Sequence, residues 1–254
     1  MDVDPSAYSQ ALVANSLREF ATMVSQAVEG SDVTLPSGGI TSILQNAHAS
    51  TTGILGSSTL TLVCLIGNML HIANLGDSGV VVCSPKYENG IKWSTSSGQH
   101  SFNFPKQLAH QPTVDAFAER EKERARACGQ QLSEDDDATG PSHDSPENAE
   151  SETIALEAGD RVVLASDGVW DNIFLKEVSA IALSDSSASA SHIAEGIADA
   201  AEQAAMSQRE SPFTRGAKLS GWAFENFGLQ GMFVSGGKPD DTSVAVIRYD
   251  NDTP

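Results

Sequence analysis

Leu12, Val13, Leu17, Phe20, Met23, Val24 and Val28 recur at steps of three and four residues, which predicts a helix over residues 9–29 with Gly30 as its stop. A second helical stretch, residues 39–48, carries Ile40, Ile43 and Leu44. The period then changes. Residues 57–66 are β-branched and apolar, Gly67-Asn68 reads as a two-residue turn, and residues 69–75 resume as a strand, so a β-hairpin is expected. Gly76-Asp77-Ser78-Gly79 separates it from another apolar run, residues 80–83, and a short strand follows around Ile91-Lys92-Trp93. Residues 113–131 show the charge alternation of an exposed helix, with Glu119–Lys122, Glu121–Arg124 and Glu123–Arg126 pairs. Beyond them the pattern predicts strands at 153–156 and 161–165, helices at 178–183 and 192–206, and a last buried strand at 242–249. Hairpin-ordered strands mixed with helices, without strict βαβ alternation, imply an α+β class with antiparallel sheets.

The chain has 254 residues, 40% of them hydrophobic, enough for a buried core. A single domain spanning 1–254 is expected. Fifteen Lys and Arg stand against 34 Asp and Glu, a net charge of -19. Such an acidic balance argues against nucleic acid as a partner, because a phosphate backbone needs a basic face, and against attachment to anionic lipid. No apolar run approaches a membrane span of roughly 18 residues, so no membrane association is expected. Residues 133–152 hold eight acids, no Lys or Arg, and several Ser, Pro and Gly; they read as a disordered acidic insertion. Cys64, Cys83 and Cys128 are an odd, widely spaced set, expected to be reduced thiols of an intracellular protein.

Three aspartates follow or precede apolar strands, each in a turn: Asp77 in Leu75-Gly76-Asp77-Ser78, Asp167 in Leu164-Ala165-Ser166-Asp167-Gly168, and Asp240 in Gly237-Lys238-Pro239-Asp240-Asp241. Asp171 lies four residues after Asp167, on the same side if that turn opens a helix. Carboxylates gathered at strand ends suit hard divalent cations, which take oxygen ligands, whereas the scattered histidines disfavour zinc. Trp170 is expected to pack in the core, the segment Gln99 to Phe104 to be a structural loop, and Lys238 to be a solvated turn lysine.

The ordered strings LGDSG, VVLASDGVWDNI and GGKPDDTSVAVI, with GSS-T at residues 56–59, GQHSFNFPKQL at 98–108 and SPF at 211–213, resemble the metal-dependent serine/threonine protein phosphatases of type 2C, and among them a compact mitochondrial and plastid subgroup. The resemblance implies an α-β-β-α sandwich, two antiparallel sheets flanked by helices. It also implies two Mg²⁺ or Mn²⁺ ions, with a possible weak third. Asp167 and Asp240 match metal ligands. Asp171 and Asp77 match positions that bind a weaker third ion or hold its waters, and Asp241 and Gly168 would lie just behind the ligands. The implied reaction is hydrolysis of phosphoserine and phosphothreonine in a phosphoprotein by an activated water, with no side chain as nucleophile.

One departure is expected to matter. The family carries an Asp-Gly-x-x-Gly motif and an upstream Arg before a segment like Val3-Asp4-Pro5-Ser6, and here Met1 and Asp2 precede that segment. An N-terminally truncated domain of impaired activity is therefore expected, with an exposed sheet edge that a partner would cover. The alternative is a pseudophosphatase that binds phosphoproteins without turnover. The compartment is expected to be intracellular, mitochondrial or plastid by resemblance alone.

Overall fold

The computed structural model describes residues 4–26, 35, 38–128, 144–228, 231 and 234–250. It mixes helices with antiparallel sheets, as the hydrophobic pattern implies. The contacts gather into two compact units.

The first unit comprises most residues before Ile66, the segment His71–Leu75, and Lys106–Glu152. Helix α1 (Pro5–Gln26) starts where Asp4 accepts hydrogen bonds from the amide (2.9 Å) and hydroxyl (2.8 Å) of Ser6, with Pro5 at the first helical position. Asp4 is thus a helix cap, and those two bonds hold its carboxyl below the usual range. Helix α2 (Gly39–Ala49) packs against α1, and Tyr8, Leu12, Ile40, Leu44 and Ala47 meet in a core completed by Leu60, Cys64, Ala73, Leu75 and Leu108. After the short strand β1 (Ser57–Ser58), strands β2 (Leu60–Ile66) and β3 (Met69–Leu75) carry out the expected hairpin, β3 being the inner strand of a three-stranded sheet.

In the second unit, strands β4 (Gly79–Cys83) and β5 (Ile91–Ser94) are followed by a small hairpin, β6 (Gln99–Ser101) and β7 (Phe104–Pro105). The chain then returns to the first unit through β8 (Leu108–Ala109), which pairs with β1, and helix α3 (Gln111–Ala127).

Residues 144–152 correct the expectation of a disordered insertion over 133–152. Asp144 is buried and accepts a hydrogen bond from the Gln107 amide (3.0 Å), Pro146–Asn148 form a turn of 3-10 helix, and β9 (Glu150–Ala155) joins β3 as its second neighbour. A buried carboxylate paired with a backbone N–H is stable where an unpaired one is not. Acid-rich composition concealed that pairing. Residues 133–143 lie outside the described residues.

The rest of the second unit is built on β10 (Arg161–Ala165), helices α4 (Asp167–Trp170), α5 (Leu175–Ala182), α6 (Ala190–Ala205), α7 (Pro212–Leu219) and α8 (Trp222–Phe227), and strand β11 (Val244–Arg248). Its sheet runs β11-β10-β4-β5, antiparallel at every pairing. All five residues of β4 are buried, which is why GVVVC is an unbroken apolar run rather than an alternating one. Each fully buried valine contributes about 1.5–3 kcal/mol. Ile193, Ile197, Ala201 and Ala204 make one stripe of α6 that lies against this core.

Candidate active site

Register places the acidic residues. Ala165 of β10 pairs with Gly79 of β4 on one side and with Val244 of β11 on the other. Asp77 lies two residues before Gly79, Asp167 two after Ala165, and Asp240 four before Val244, so all three project from one end of the sheet. Ser166 fixes the alignment. Its hydroxyl donates to the Asp241 carbonyl (3.1 Å) and accepts from the Ser243 amide (3.1 Å), while its own amide donates to the Ser243 carbonyl (3.1 Å). Helix α4 opens at once, and the Asp171 amide donates to the Asp167 carbonyl (2.8 Å), stacking the two carboxylates one turn apart.

The carboxylates converge on a cation. Lys238 Nζ lies 2.8 Å from Asp171 Oδ2, 3.1 Å from Asp167 Oδ2 and 3.2 Å from Asp240 Oδ2, with the Phe213 ring centroid 5.5 Å away. Burial works against this ammonium, but the hydrogen bonds and charges of Asp171 and Asp167 outweigh it and raise Lys238 above the ordinary lysine range. Burial raises Asp171 although Lys238 pulls the other way. Burial also raises Asp77, with the charge of Asp167 adding to it. Asp77 and Asp171 both line a cavity of about 410 Å³ walled by Gln99, Phe102, Trp170 and Phe213.

Backbone approach holds the cluster together. A side chain on Gly168 would come within 2.5 Å of the Asp241 carbonyl, so α4 sits directly on the turn that carries Asp240 and Asp241. The buried Asn172 carboxamide donates to the carbonyls of Gly168 (2.9 Å) and Lys238 (2.8 Å) and accepts from the Lys238 amide (2.8 Å). The Phe213 amide donates to the Asp171 carbonyl (3.0 Å), which fastens the start of α7 to the same place.

The structure therefore gathers Asp167, Asp171 and Asp240 about one point and sets Asp77 beside them. Asp241 is exposed and contributes its backbone, and Gly168 contributes the close approach. Trp170 packs against the core as expected, its indole N–H donating to the Ala165 carbonyl (2.8 Å), and it also walls the cavity. Lys238 corrects the expectation of a solvated turn lysine: only a quarter of its side chain is exposed, and three carboxylates surround its ammonium. Asn172 lies inside the string VVLASDGVWDNI, and its part in joining α4 to the Lys238 turn shows only in the fold. Among the described residues, no three His, Cys, Asp or Glu side chains take the spacing of a preformed metal cage. An ammonium spaces carboxylates at hydrogen-bond distances, whereas Mg²⁺ draws its oxygens to about 2.0–2.1 Å.

No protein-family model matches the chain. Among proteins of known family, it is 32% identical over 250 residues to the protein phosphatase PTC7 homologue of Xenopus laevis, covering 95% of this chain and 70% of that one. It is 30% identical over 210 residues to probable protein phosphatase 2C 80 of Arabidopsis thaliana, covering 82% of this chain and 40% of that one. Among solved structures, the photosystem II phosphatase PBCP superposes with a TM-score of 0.68 at 25% identity, over 98% of this chain and 81% of that one. The chain belongs to the protein phosphatase 2C family. It spans about two fifths of the length of two of the Arabidopsis thaliana relatives it matches, phosphatases 2C 80 and 2C 55. Among the described residues, no helix is long and apolar enough to cross a membrane.

Proposed function

We propose that the protein is a metal-dependent protein phosphatase acting on phosphoserine and phosphothreonine in phosphoproteins. The observation that supports this most is the convergence of three aspartate oxygens within 3.2 Å of one cation at the sheet end. The donors are all carboxylate oxygens, which suit Mg²⁺ or Mn²⁺, and the ammonium at their centre is a cation already standing where one is favoured. Asp167, Asp171 and Asp240 would hold the ions, with Asp77 adjoining. Bound ions would supply an activated water for in-line attack and positive charge to offset that of the phosphoryl group.

The chain's own residues do the rest. Asn172 ties the Lys238 turn to α4, which holds Asp240 next to Asp167. The apolar walls of the cavity beside Asp77 and Asp171 offer a seat for a residue flanking the phosphorylated one. Neither Cys83 nor Cys64 is suited to attack phosphorus: both are buried, and burial pushes the Cys83 thiol up to about 12, with the charge of Asp160 adding to it.

The test is hydrolysis of phosphothreonine peptides by the purified protein with and without Mn²⁺. Expected are turnover that EDTA abolishes and a loss of at least a hundredfold in Asp167→Ala and Asp240→Ala, the scale of removing a principal electrostatic group. Turnover that survives chelation or both substitutions rejects the metal mechanism. A second reading, a silent phosphoprotein-binding module, is favoured by the ammonium that fills the carboxylate cluster. It predicts phosphopeptide binding by calorimetry with no Mn²⁺-dependent turnover.

A further inference from the structure

We propose that Lys238 is a tethered cation that occupies the carboxylate cluster in competition with divalent metal, so that metal binding requires the ammonium to leave and the lysine sets the metal affinity of the site. The inference rests on the metal-dependent reading above and adds a regulatory part to it.

Three features support it. First, the ammonium is held by the cluster: it donates to Asp171 (2.8 Å) and Asp167 (3.1 Å) and stands 3.2 Å from the Asp240 carboxylate. A divalent ion held by the same oxygens would compete with the ammonium for their lone pairs. The two cations therefore exclude each other through mutual repulsion and through the shared lone pairs. Second, only the side chain is free to yield. The Lys238 backbone is bonded at both its N–H and its C=O to the buried Asn172 carboxamide, each at 2.8 Å, and Pro239 follows. The turn and Asp240 can stay in place while the four-carbon stem swings. Third, there is a place for the ammonium to go. The Phe213 ring lies 5.5 Å from Nζ, at the edge of cation–π range, and borders the cavity of about 410 Å³. A lysine that moved a few ångströms toward that ring would keep a partner and clear the carboxylates.

Exchange of one cation for another has consequences. Without divalent metal, Lys238 keeps like charges together and the sheet end assembled. With metal, part of the binding energy goes into displacing it, so the site fills only at a higher metal concentration than its donors alone would demand.

The deciding measurement is calorimetric titration of Mn²⁺ into EDTA-stripped wild type, Lys238→Met and Lys238→Arg. Lys238→Met is expected to bind Mn²⁺ about tenfold more tightly than wild type, and Lys238→Arg, which keeps the charge, to stay near wild type. Equal or weaker binding by Lys238→Met while wild type binds normally overturns the role of Lys238 and leaves the metal reading standing. Absence of Mn²⁺ binding to every chain removes the metal reading and this inference together. Should Lys238→Met fail to fold, acetylation of wild-type lysines mapped by peptide mass spectrometry decides instead. Lys238 should be acetylated several-fold faster with Mn²⁺ than in EDTA, against exposed Lys86 as the internal reference. An unchanged ratio at saturating Mn²⁺ overturns the proposal.

Discussion

Asn172 and Lys238 hold each other by a reciprocal pair of hydrogen bonds: the Asn172 carboxamide N–H donates to the Lys238 carbonyl and its oxygen accepts the Lys238 amide, both at 2.8 Å. The same carboxamide donates to the Gly168 carbonyl (2.9 Å), so one buried side chain joins α4 to the turn before β11. Asn172→Ala should therefore destabilise the protein by about 2–3 kcal/mol, since buried partners are left unpaired. Asn172→Asp should cost at least as much, because a carboxylate would face two carbonyls. Equilibrium denaturation measures both, and a change within 0.5 kcal/mol, roughly what a neutral surface substitution gives, would show that the turn stands without Asn172.

Two glycines of the second unit should respond in opposite directions. A Cβ on Gly237 would collide with the Ala205 backbone and lie 2.6 Å from Asn172 Oδ1, so Gly237→Ala forces the turn off α6 and should cost about 1–3 kcal/mol. Gly196 is inside α6, where an added methyl meets only Ile181 Cγ2 at 3.4 Å, an ordinary contact. Gly196→Ala should stabilise by up to about 1 kcal/mol through helix propensity. Thermal midpoints moving in the same direction for both variants would contradict this account of the packing.

The fold was legible where period alone decides structure. The β2–β3 hairpin, the apolar run of β4 and the Ile193–Ile197 stripe of α6 each state their element in the local pattern. The order of the aspartates was legible through the strings that carry them. Lys238 was not, because its place among three carboxylates depends on the Ala165–Val244 register and on Asn172, neither of which shows in a single turn sequence. Helix α7 has no long apolar period, and its signal is its start: Ser211, with Pro212 at the first helical position, accepts from the Thr214 amide (3.2 Å) in a capping box. Residues 144–152 show the opposite error, composition outweighing the one buried carboxylate that organises them.

Glu177 gives the second unit a pH signature. Its carboxylate accepts the Phe174 amide (2.8 Å) at the start of α5 and pairs with Arg209, whose guanidinium also donates to the Asn172 carbonyl (3.2 Å). Burial tends to raise Glu177, but the Arg209 hydrogen bond and the Phe174 amide outweigh it and hold the carboxyl below its usual range. A carboxylate depressed by folding contributes stability that is present above its unfolded value of about 4.3 and is lost as pH falls through the folded value. Glu177→Gln should thus cost about 0.5–1 kcal/mol at neutral pH, the range of a partly exposed ion pair. The gap between variant and wild type should close below about pH 4. A gap that widens on acidification would reverse the assigned sign.

The three cysteines separate by environment. Cys64 and Cys83 are buried, and burial raises both thiols, Cys83 to about 12; Cys128 is exposed just after α3. Only a thiolate reacts readily. At pH 8 the folded protein should release one equivalent of chromophore from a disulfide reagent, and three after denaturation. Prior alkylation of the accessible thiol should leave Mn²⁺-dependent turnover intact. Reaction of all three in the folded state would mean that the cores around Cys64 and Cys83 open readily.

Asp77 shows what the site costs the fold. It is partly buried, no cation among the described residues is bonded to it as Lys238 is bonded to Asp167 and Asp171, and burial with the nearby charge of Asp167 raises its carboxyl above the usual range. A carboxylate raised by folding opposes stability above its unfolded value, and the penalty fades as pH falls and the group takes up its proton. Asp77→Asn keeps the shape and removes the charge. In EDTA at neutral pH the variant should melt at a higher temperature than wild type, with the advantage shrinking on acidification. In Mn²⁺ the order should reverse or the gap narrow, because a charge that is a liability alone becomes a ligand or a counter-charge beside the ions. Scanning fluorimetry of both chains at neutral and acidic pH, with EDTA or Mn²⁺, reads all four conditions. If Asp77→Asn lowers the midpoint in EDTA, Asp77 stabilises the fold by itself and its charge is not held there for metal.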